Sequence, residues 1–379
     1  YAYANQGNFT IERRLSKDMA FSASYIFVGA HHLPHPQDIN APRTDFLIEN
    51  FRRFAGTAPL SNAQALFFSL PLACPGAAPS GSPTGAVIYN FDRAAAPMPD
   101  ELPVPRLAGA EQSNTSLIFG DRAIMKLYRR LEPGEHPDAE IARFLTTRAH
   151  FSHTPELLAT ARFESPSGTE VAAMIQRFLP GSRDAWTVAL ERGAEAFEVD
   201  APTGIPFVVE AETLGTVTRE MHLALASDDQ DPAFAPALGT AADVAEWADA
   251  VRLATDKTFE LLERSRAEGS LANDVARDVE AVLERREVVR ALVDGWTTEI
   301  GGDAGGRIRH HGDYHLGQVL QTGDGDFFVI DFEGEPARPL EERRAKHSAL
   351  RDVAGMMRSF AYAASTCAER ARAELGEVD

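Results

Sequence analysis

The chain has 379 residues, 44% of them hydrophobic, with 37 basic against 56 acidic side chains and a formal net charge of −19. Such a composition suits a water-soluble fold with room for two or three cores, and the charge argues against a nucleic-acid or anionic-membrane surface. Cys74 and Cys367 are the only cysteines, so no disulfide framework or zinc spacing follows, which fits a reducing compartment. No run of about 18 apolar residues predicts a transmembrane helix. The chain begins at Tyr1 with no basic-then-apolar signal, and reads as a fragment or a joined chain.

Charge divides the sequence. Residues 1–95 carry seven basic and six acidic side chains, which leaves 30 basic against 50 acidic for the rest. In the first part Phe9 and Ile11, then Met19, Phe21, Ala23, Tyr25 and Phe27, alternate with smaller or polar residues. A period of two interrupted by Ser16-Lys17-Asp18 predicts a β-hairpin with one apolar face. Its strand–turn–strand rhythm, with the long loop from Gly29 to Pro42, resembles part of a TonB-dependent outer-membrane receptor barrel. One hairpin cannot close a barrel in lipid, because its edges stay unpaired. His31, His32 and His35 in that loop lack supporting Cys or carboxylates and make a weak metal motif. Residues 1–70 are therefore expected to be a β-rich segment, and the Pro-, Ala- and Gly-rich residues 71–101 a linker.

Beyond the linker, Leu117-Ile118-Phe119 and Ala123 to Tyr128 flank Gly120-Asp121, the signature of a tight hairpin. Lys126 lies inside the second apolar run. It is either exposed or a cation held for phosphate, and taken alone exposure is the commoner outcome. The next segment, His136 to Leu145, has Pro137 at a first helical position and acids in the first turn. Glu140 on that helix is the expected partner of Lys126, an ion pair that positions nucleotide phosphates in kinases. A loop of Gln112, Ser113, Asn114, Thr115 and Ser116 offers hydroxyls and N–H groups to cover those phosphates, without a GxGxxG motif.

Val171 to Gly181 predicts a buried strand leading to a turn, and from about residue 208 the apolar spacing becomes helical, at Leu214, Val217, Met221 and Leu225. Asp274 to Ile300 is expected as one long helix, and Ser348 to Ala364 as another. Between them lies Arg309 to Glu333, the stretch richest in chemistry. Short apolar strands at 318–321 and 327–330 enclose Thr322-Gly323-Asp324-Gly325-Asp326, with Asp313 before the first and Asp331 after the second. Either carboxylate alone reads as a turn cap. Together they form the pair phosphoryl transfer requires: Asp313 to orient the attacking hydroxyl, and Asp331 with Gln318, five residues after Asp313, to hold Mg²⁺.

From about residue 102 onward the chain resembles the bacterial maltokinases, members of the aminoglycoside-phosphotransferase-like kinases. The likeness rests on GAEQSNTS (109–116), IMKLYRRLEPG (124–134), HPDAEIARFL (136–145), AAMIQRFLPGSRDAWT (172–187) and REMHLALAS (219–227). Most specific are HHGDYHLGQVL (310–320) and VIDFEGEPARPLEERR (329–344). The resemblance implies an α+β, bilobal protein-kinase-like fold, with a small lobe at 102–182 and a mainly helical lobe at 183–379. It implies an ATP- and Mg²⁺-dependent cytoplasmic sugar kinase converting maltose to maltose 1-phosphate, in trehalose and α-glucan metabolism, with trehalose synthase as fused or associated partner. Neither nucleic acid nor membrane is expected of the kinase part. Lys126 and Glu140 would serve the nucleotide, Asp313 catalysis, and Gln318 and Asp331 the metal, with His311, His315 and Glu333 as candidates for substrate contact or support. Two departures matter: the receptor-like segment stands where the family has a cap domain, and the family continues with further helices after the SFAYAA stretch. An aminoglycoside-like acceptor, or an inactive fusion fragment, remain alternatives.

Overall fold

The computed structural model describes residues 3–14, 20–31, 88–94, 99, 102–108, 114–165, 168–195, 207–269, 271, 273–300 and 304–374. Strands β1 (Tyr3–Arg14) and β2 (Ala20–His31) pair antiparallel from Tyr3 opposite His31 to Arg14 opposite Ala20, so the expected hairpin is present. The turn expected at 16–18, His32, His35, Gln112 and Ser113 lie outside the described residues.

Next comes a six-stranded antiparallel sheet. It contains β3 (Ile88–Arg93), β4 (Arg106–Leu107), β5 (Asn114–Phe119) and β6 (Ala123–Tyr128). After helix α1 (Pro137–Thr147) it is completed by β7 (Leu157–Ser165) and β8 (Gly168–Arg177), in the order β3-β7-β8-β6-β5-β4. Strand β3 corrects the linker expectation. It falls inside 71–101 yet pairs with β7 from Ile88 opposite Glu164 to Arg93 opposite Ala159. The turn between β5 and β6 is also one residue longer than expected, because Phe119 pairs with Ala123, and Gly120 takes its left-handed φ of +57°.

The pleat sorts side chains between the two sheet faces. Leu117, Phe119, Ala123, Met125 and Ile175 gather on one face. Tyr128, Val171 and Met174 pack on the other against Ala139 and Ala142 of α1. Lys126 shares its parity with Tyr128 and so faces α1. The opposite stripe of that helix, Ile141, Phe144 and Leu145, enters the core of the C-terminal lobe. One amphipathic helix therefore belongs to both cores.

That second lobe comprises β9 (Arg183–Asp184), α2 (Ala185–Glu195), α3 (Val208–Leu225), β10 (Ala237–Leu238), α4 (Ala241–Glu268), α5 (Asn273–Leu283) and α6 (Arg286–Glu299). It continues with β11 (Gly306–Ile308), β12 (Val319–Gln321), β13 (Phe327–Val329), α7 (Leu340–Arg344), β14 (His347–Ser348) and α8 (Leu350–Glu374). Helices α5 and α6 replace the single helix expected over 274–300, with the break at Glu284-Arg285. Helix α4 starts at a capping box in which Thr240 and Asp243 satisfy each other's backbone N–H, and ends at Gly269 with φ +65°. Among the described residues, no helix is long and apolar enough to cross a membrane.

The expected hairpin at 318–330 is β12–β13, with Val319 opposite Val329 and Gln321 opposite Phe327. Leu316, Val319, Phe327, Val329 and Phe332 are all buried in the large core with Leu214, Val217 and Met221 of α3. Truncating Phe327, which is fully buried, would cost about 3–5 kcal/mol. The rigid hairpin fixes the segments at its open end.

Candidate active site

The two segments flanking this hairpin converge on Lys126. Its ammonium donates to Asp331 Oδ1 at 2.7 Å and to Asp138 Oδ2 at 3.2 Å. Lys126 is buried. Burial alone would lower its pKa, but the carboxylates of Asp138 and Asp331 outweigh that and raise it, so the ammonium stays charged. The exposed alternative for Lys126 is excluded.

The partner on the helix is Asp138, not Glu140. At about 100° per residue, two positions carry Glu140 to the opposite side of α1. There it accepts from Arg309 Nη1 at 2.8 Å and from Arg344 at 3.0 and 2.7 Å. Burial raises the Glu140 pKa, but these guanidiniums bring it below the ordinary value. Asp138 is completely buried, and besides Lys126 it accepts the Tyr128 hydroxyl at 3.3 Å and the Phe332 amide at 2.9 Å. Burial is the main cause of its raised pKa; Lys126 opposes that rise and Asp331 adds to it.

Asp331 leaves β13 in the left-handed region, φ +69°, a conformation Asp tolerates better than most residues. Its pKa is raised by burial but brought below the usual carboxylate value by Lys126, with His311 and a hydrogen bond from Gln318 helping. Gln318 closes a short 3₁₀ turn over Leu316–Gln318, and its carbonyl accepts the Ile330 amide at 3.0 Å. Gln318 and Asp331 are thus neighbours, as expected.

His311 ties the Asp313 segment to the Asp331 segment. Its Nε2 lies 2.9 Å from the Ile330 carbonyl, and its Nδ1 accepts the Asp313 amide at 3.4 Å. That pair of partners selects the Nε2–H tautomer. His315 lies 3.9 Å from Asp313 and caps the 3₁₀ turn through Nδ1, which accepts the Gly317 amide at 3.1 Å. Asp313 itself stays partly open, with 37% of its side chain exposed. Burial lifts its pKa; His315 and His311 moderate the rise, and Glu335 and Asp331 add to it. Glu333 is buried, and its carbonyl accepts from Arg343 at 3.2 Å.

Of the expected phosphate cover, Asn114, Thr115 and Ser116 form the start of β5 rather than a loop. Ser116 pairs opposite Lys126, and Asn114 and Ser116 are buried.

Sequence reasoning missed the clamp on the segment that carries Asp313. Asp352, at the start of α8, accepts the His311 amide at 2.9 Å, the Gly312 amide at 3.0 Å and His222 Nε2 at 2.9 Å. Burial opposes ionisation of Asp352, yet the hydrogen bond from His222, the nearby His310 and His311 and the Gly312 amide drive its pKa well below the usual range. Gly355, one turn later, admits the Tyr314 carbonyl; a Cβ there would sit 2.7 Å from that oxygen. Gly312, at φ +85°, also runs close to Gly334, whose Cα would lie 3.3 Å from an added Cβ. The only signal available was REMH beside the expected helix at 348–364, with no spacing to connect them.

Among the described residues no group of three or more His, Cys, Asp or Glu side chains could hold a metal alone. The donors at the open end, one carboxylate and one amide, fit a hard cation that takes its remaining ligands from phosphates and water, as Mg²⁺ does.

The chain is similar to known kinases. It is 33% identical over 277 residues to a glucosamine kinase of Mycolicibacterium smegmatis, covering 71% of this chain and 62% of that protein. It is 29% identical over 290 residues to a glucosamine kinase of Streptacidiphilus jiangxiensis, covering 74% and 58%. The chain thus spans about three fifths of the length of these curated relatives. No protein-family model matches it. Among solved structures, a glucosamine kinase in complex with glucosamine, ADP and inorganic phosphate superposes with a TM-score of 0.55 at 24% identity, over 76% of this chain and 70% of that one. Crystal form B of a glucosamine kinase gives 0.52 at 26%, over 78% and 72%. With its antiparallel sheet lobe joined to a mainly helical lobe, the chain has the bilobal protein-kinase-like fold of these structures.

Proposed function

We propose that the chain carries the phosphoryl-transfer site of an ATP-dependent sugar kinase. The observation that carries this reading is the convergence of Lys126, Asp331 and Gln318 beside a partly open Asp313. Lys126 would contact the nucleotide phosphates, which requires its ammonium to turn from Asp331 toward them while Asp138 keeps hold of it. Asp331 and Gln318 would hold Mg²⁺, which when bound neutralises phosphate charge during transfer. Asp313, its basicity raised by burial, would accept the proton of the acceptor hydroxyl. His311 would keep Asp313 and Asp331 at a fixed separation through its two ring nitrogens.

For the acceptor we favour glucosamine over maltose. The relatives named above are glucosamine kinases, and the carboxylates of Asp313, Asp331 and Glu335 make this end of the cleft anionic, suited to an ammonium-bearing sugar. Maltose remains the second reading, on the strength of the 310–320 and 329–344 stretches. A linked-enzyme ADP-release assay over glucosamine, glucose, maltose and an aminoglycoside separates these. Glucosamine should give the highest kcat/KM; a preference for maltose would reverse the acceptor assignment, and ADP release unaffected by every acceptor would defeat the kinase reading.

A further inference from the structure

On the far side of α1 from Lys126 lies an open cavity of about 730 Å³, whose lining includes Arg307, Arg309, Arg344 and Lys346 with Glu341. Four cations converging on one hollow are unexpected in a chain of net charge −19. Their local partners do not saturate them. Arg309 and Arg344 share one carboxylate, Glu140. Arg307 pairs with Asp243 at 2.5 Å, and among the described residues Lys346 donates to the carbonyls of Pro232 and Ala235, at 2.7 and 2.5 Å, with the Asp231 carboxylate close enough to act on its charge. Arg309 is 2% exposed, and its Nη2 has no hydrogen-bond partner among the described residues. A buried guanidinium N–H left unpaired is costly unless a ligand accepts from it.

We propose that this cavity is a second ligand site, separate from the nucleotide cleft, that takes a small phosphomonoester. A phosphate group carries about −1.5 to −2 charge at neutral pH and three acceptor oxygens, and guanidinium forks match it in geometry and charge. The hollow falls within the usual 300–1,000 Å³ of small-molecule sites, so a phosphorylated monosaccharide fits as well as free phosphate. Burial lowers the pKa of both Arg309 and Lys346. Glu140 and Asp231 oppose that fall at Arg309, while Arg344 adds to it; at Lys346 Arg309 and Arg307 add to it and Asp231 opposes it, and a bound anion would relieve the repulsion among the cations. The site would also communicate with the catalytic cleft, because an anion on Arg309 and Arg344 competes for the guanidiniums that hold Glu140, two residues from Asp138.

The test is calorimetric titration of the full chain, saturated with ADP and Mg²⁺, with inorganic phosphate, glucose 6-phosphate and glucose. Phosphate and glucose 6-phosphate should both bind, and glucose should not; tighter binding of the sugar phosphate would identify it as the better-fitting source of the anion. Arg307→Gln combined with Lys346→Gln should weaken binding about tenfold or more, the size of one lost charged contact, while ADP affinity stays unchanged. Should the double variant melt early, Lys346→Gln alone carries the test, since its ammonium donates to carbonyls and forms no ion pair among the described residues, and a several-fold loss is expected. Absence of binding up to about 10 mM, binding abolished by ADP, or variants that bind phosphate like the parent would each overturn the proposal.

Discussion

The carboxylate of Asp138 accepts the backbone N–H of Phe332 at 2.9 Å, so the residue that holds Lys126 also holds the peptide next to Asp331. One helix N-terminus thereby sets the sheet lysine and the hairpin aspartate together, across the junction of two lobes.

Asp138→Ala should therefore be far more damaging than Glu140→Gln for the nucleotide. Removing one member of a buried ion pair costs about 3–5 kcal/mol, and here it also frees the Phe332 amide. Urea unfolding and ADP titration on both variants check this. Equal loss of ADP affinity in the two would return Glu140 to the nucleotide site.

Asp313→Asn should keep ADP affinity and lose turnover by about 10²–10⁴-fold, the usual weight of a general base. In the parent the carboxylate must be ionised to work, and its raised pKa moves the acid limb of the rate profile above the ordinary carboxylate value. A kcat profile whose acid limb falls at or below that value would remove Asp313 from the proton-accepting role.

Asp331→Asn should nearly abolish Mg²⁺-dependent nucleotide binding, whereas Gln318→Asn should leave part of it. A charged oxygen holds a hard cation more strongly than an amide carbonyl does. Mg²⁺ titrations at fixed ADP compare the two, and parent-like metal dependence in Asp331→Asn would exclude it as a ligand.

What could be read directly in the sequence was local. The β12–β13 hairpin and its two flanking carboxylates followed from turn residues between short apolar runs. The ion pair did not, because Asp138 and Glu140 differ by half a helical turn and composition cannot say which one the sheet faces. Strand β3 was hidden because a six-residue edge strand in a Pro- and Ala-rich stretch has too short a period to stand out. Asp352 was hidden by distance: an acid at the start of an amphipathic helix already has a sufficient local reason to be there.

Asp352→Asn should cost about 1.5–3 kcal/mol at neutral pH, the worth of hydrogen bonds to a charged group. Its folded pKa is depressed, so that stability is present above the unfolded value of about 4 and is lost as pH falls further. Chemical denaturation at neutral pH and below pH 4 should show the gap between parent and variant closing in acid. A gap that stays constant would mean the charge is not what holds His311 and Gly312.

Deleting residues 1–80 should leave ADP binding intact, whereas extending the deletion through Arg93 strips the edge from β7. That longer deletion also removes Asp92, which meets Arg162 at 2.8 Å, so the melting temperature should fall further. Loss of ADP binding with the shorter deletion would make the N-terminal segment integral to the small lobe.

The clamp formed by Asp352 and Gly355, joined by Ser359 whose hydroxyl accepts the Leu316 amide at 3.1 Å, has a consequence for synthesis. A nascent chain that has left the ribosome as far as Glu333 already contains Lys126, Asp138, Asp313, Gln318 and Asp331, and ties the segment from His311 to Leu316 to the rest through the contacts of His311 with Ile330 and of Tyr314 with Thr218, without the α8 clamp on its backbone amides. The amides of His311, Gly312 and Leu316 gain their acceptors only when α8 emerges and docks, so the last helix to be made is the one that completes the hold on this segment.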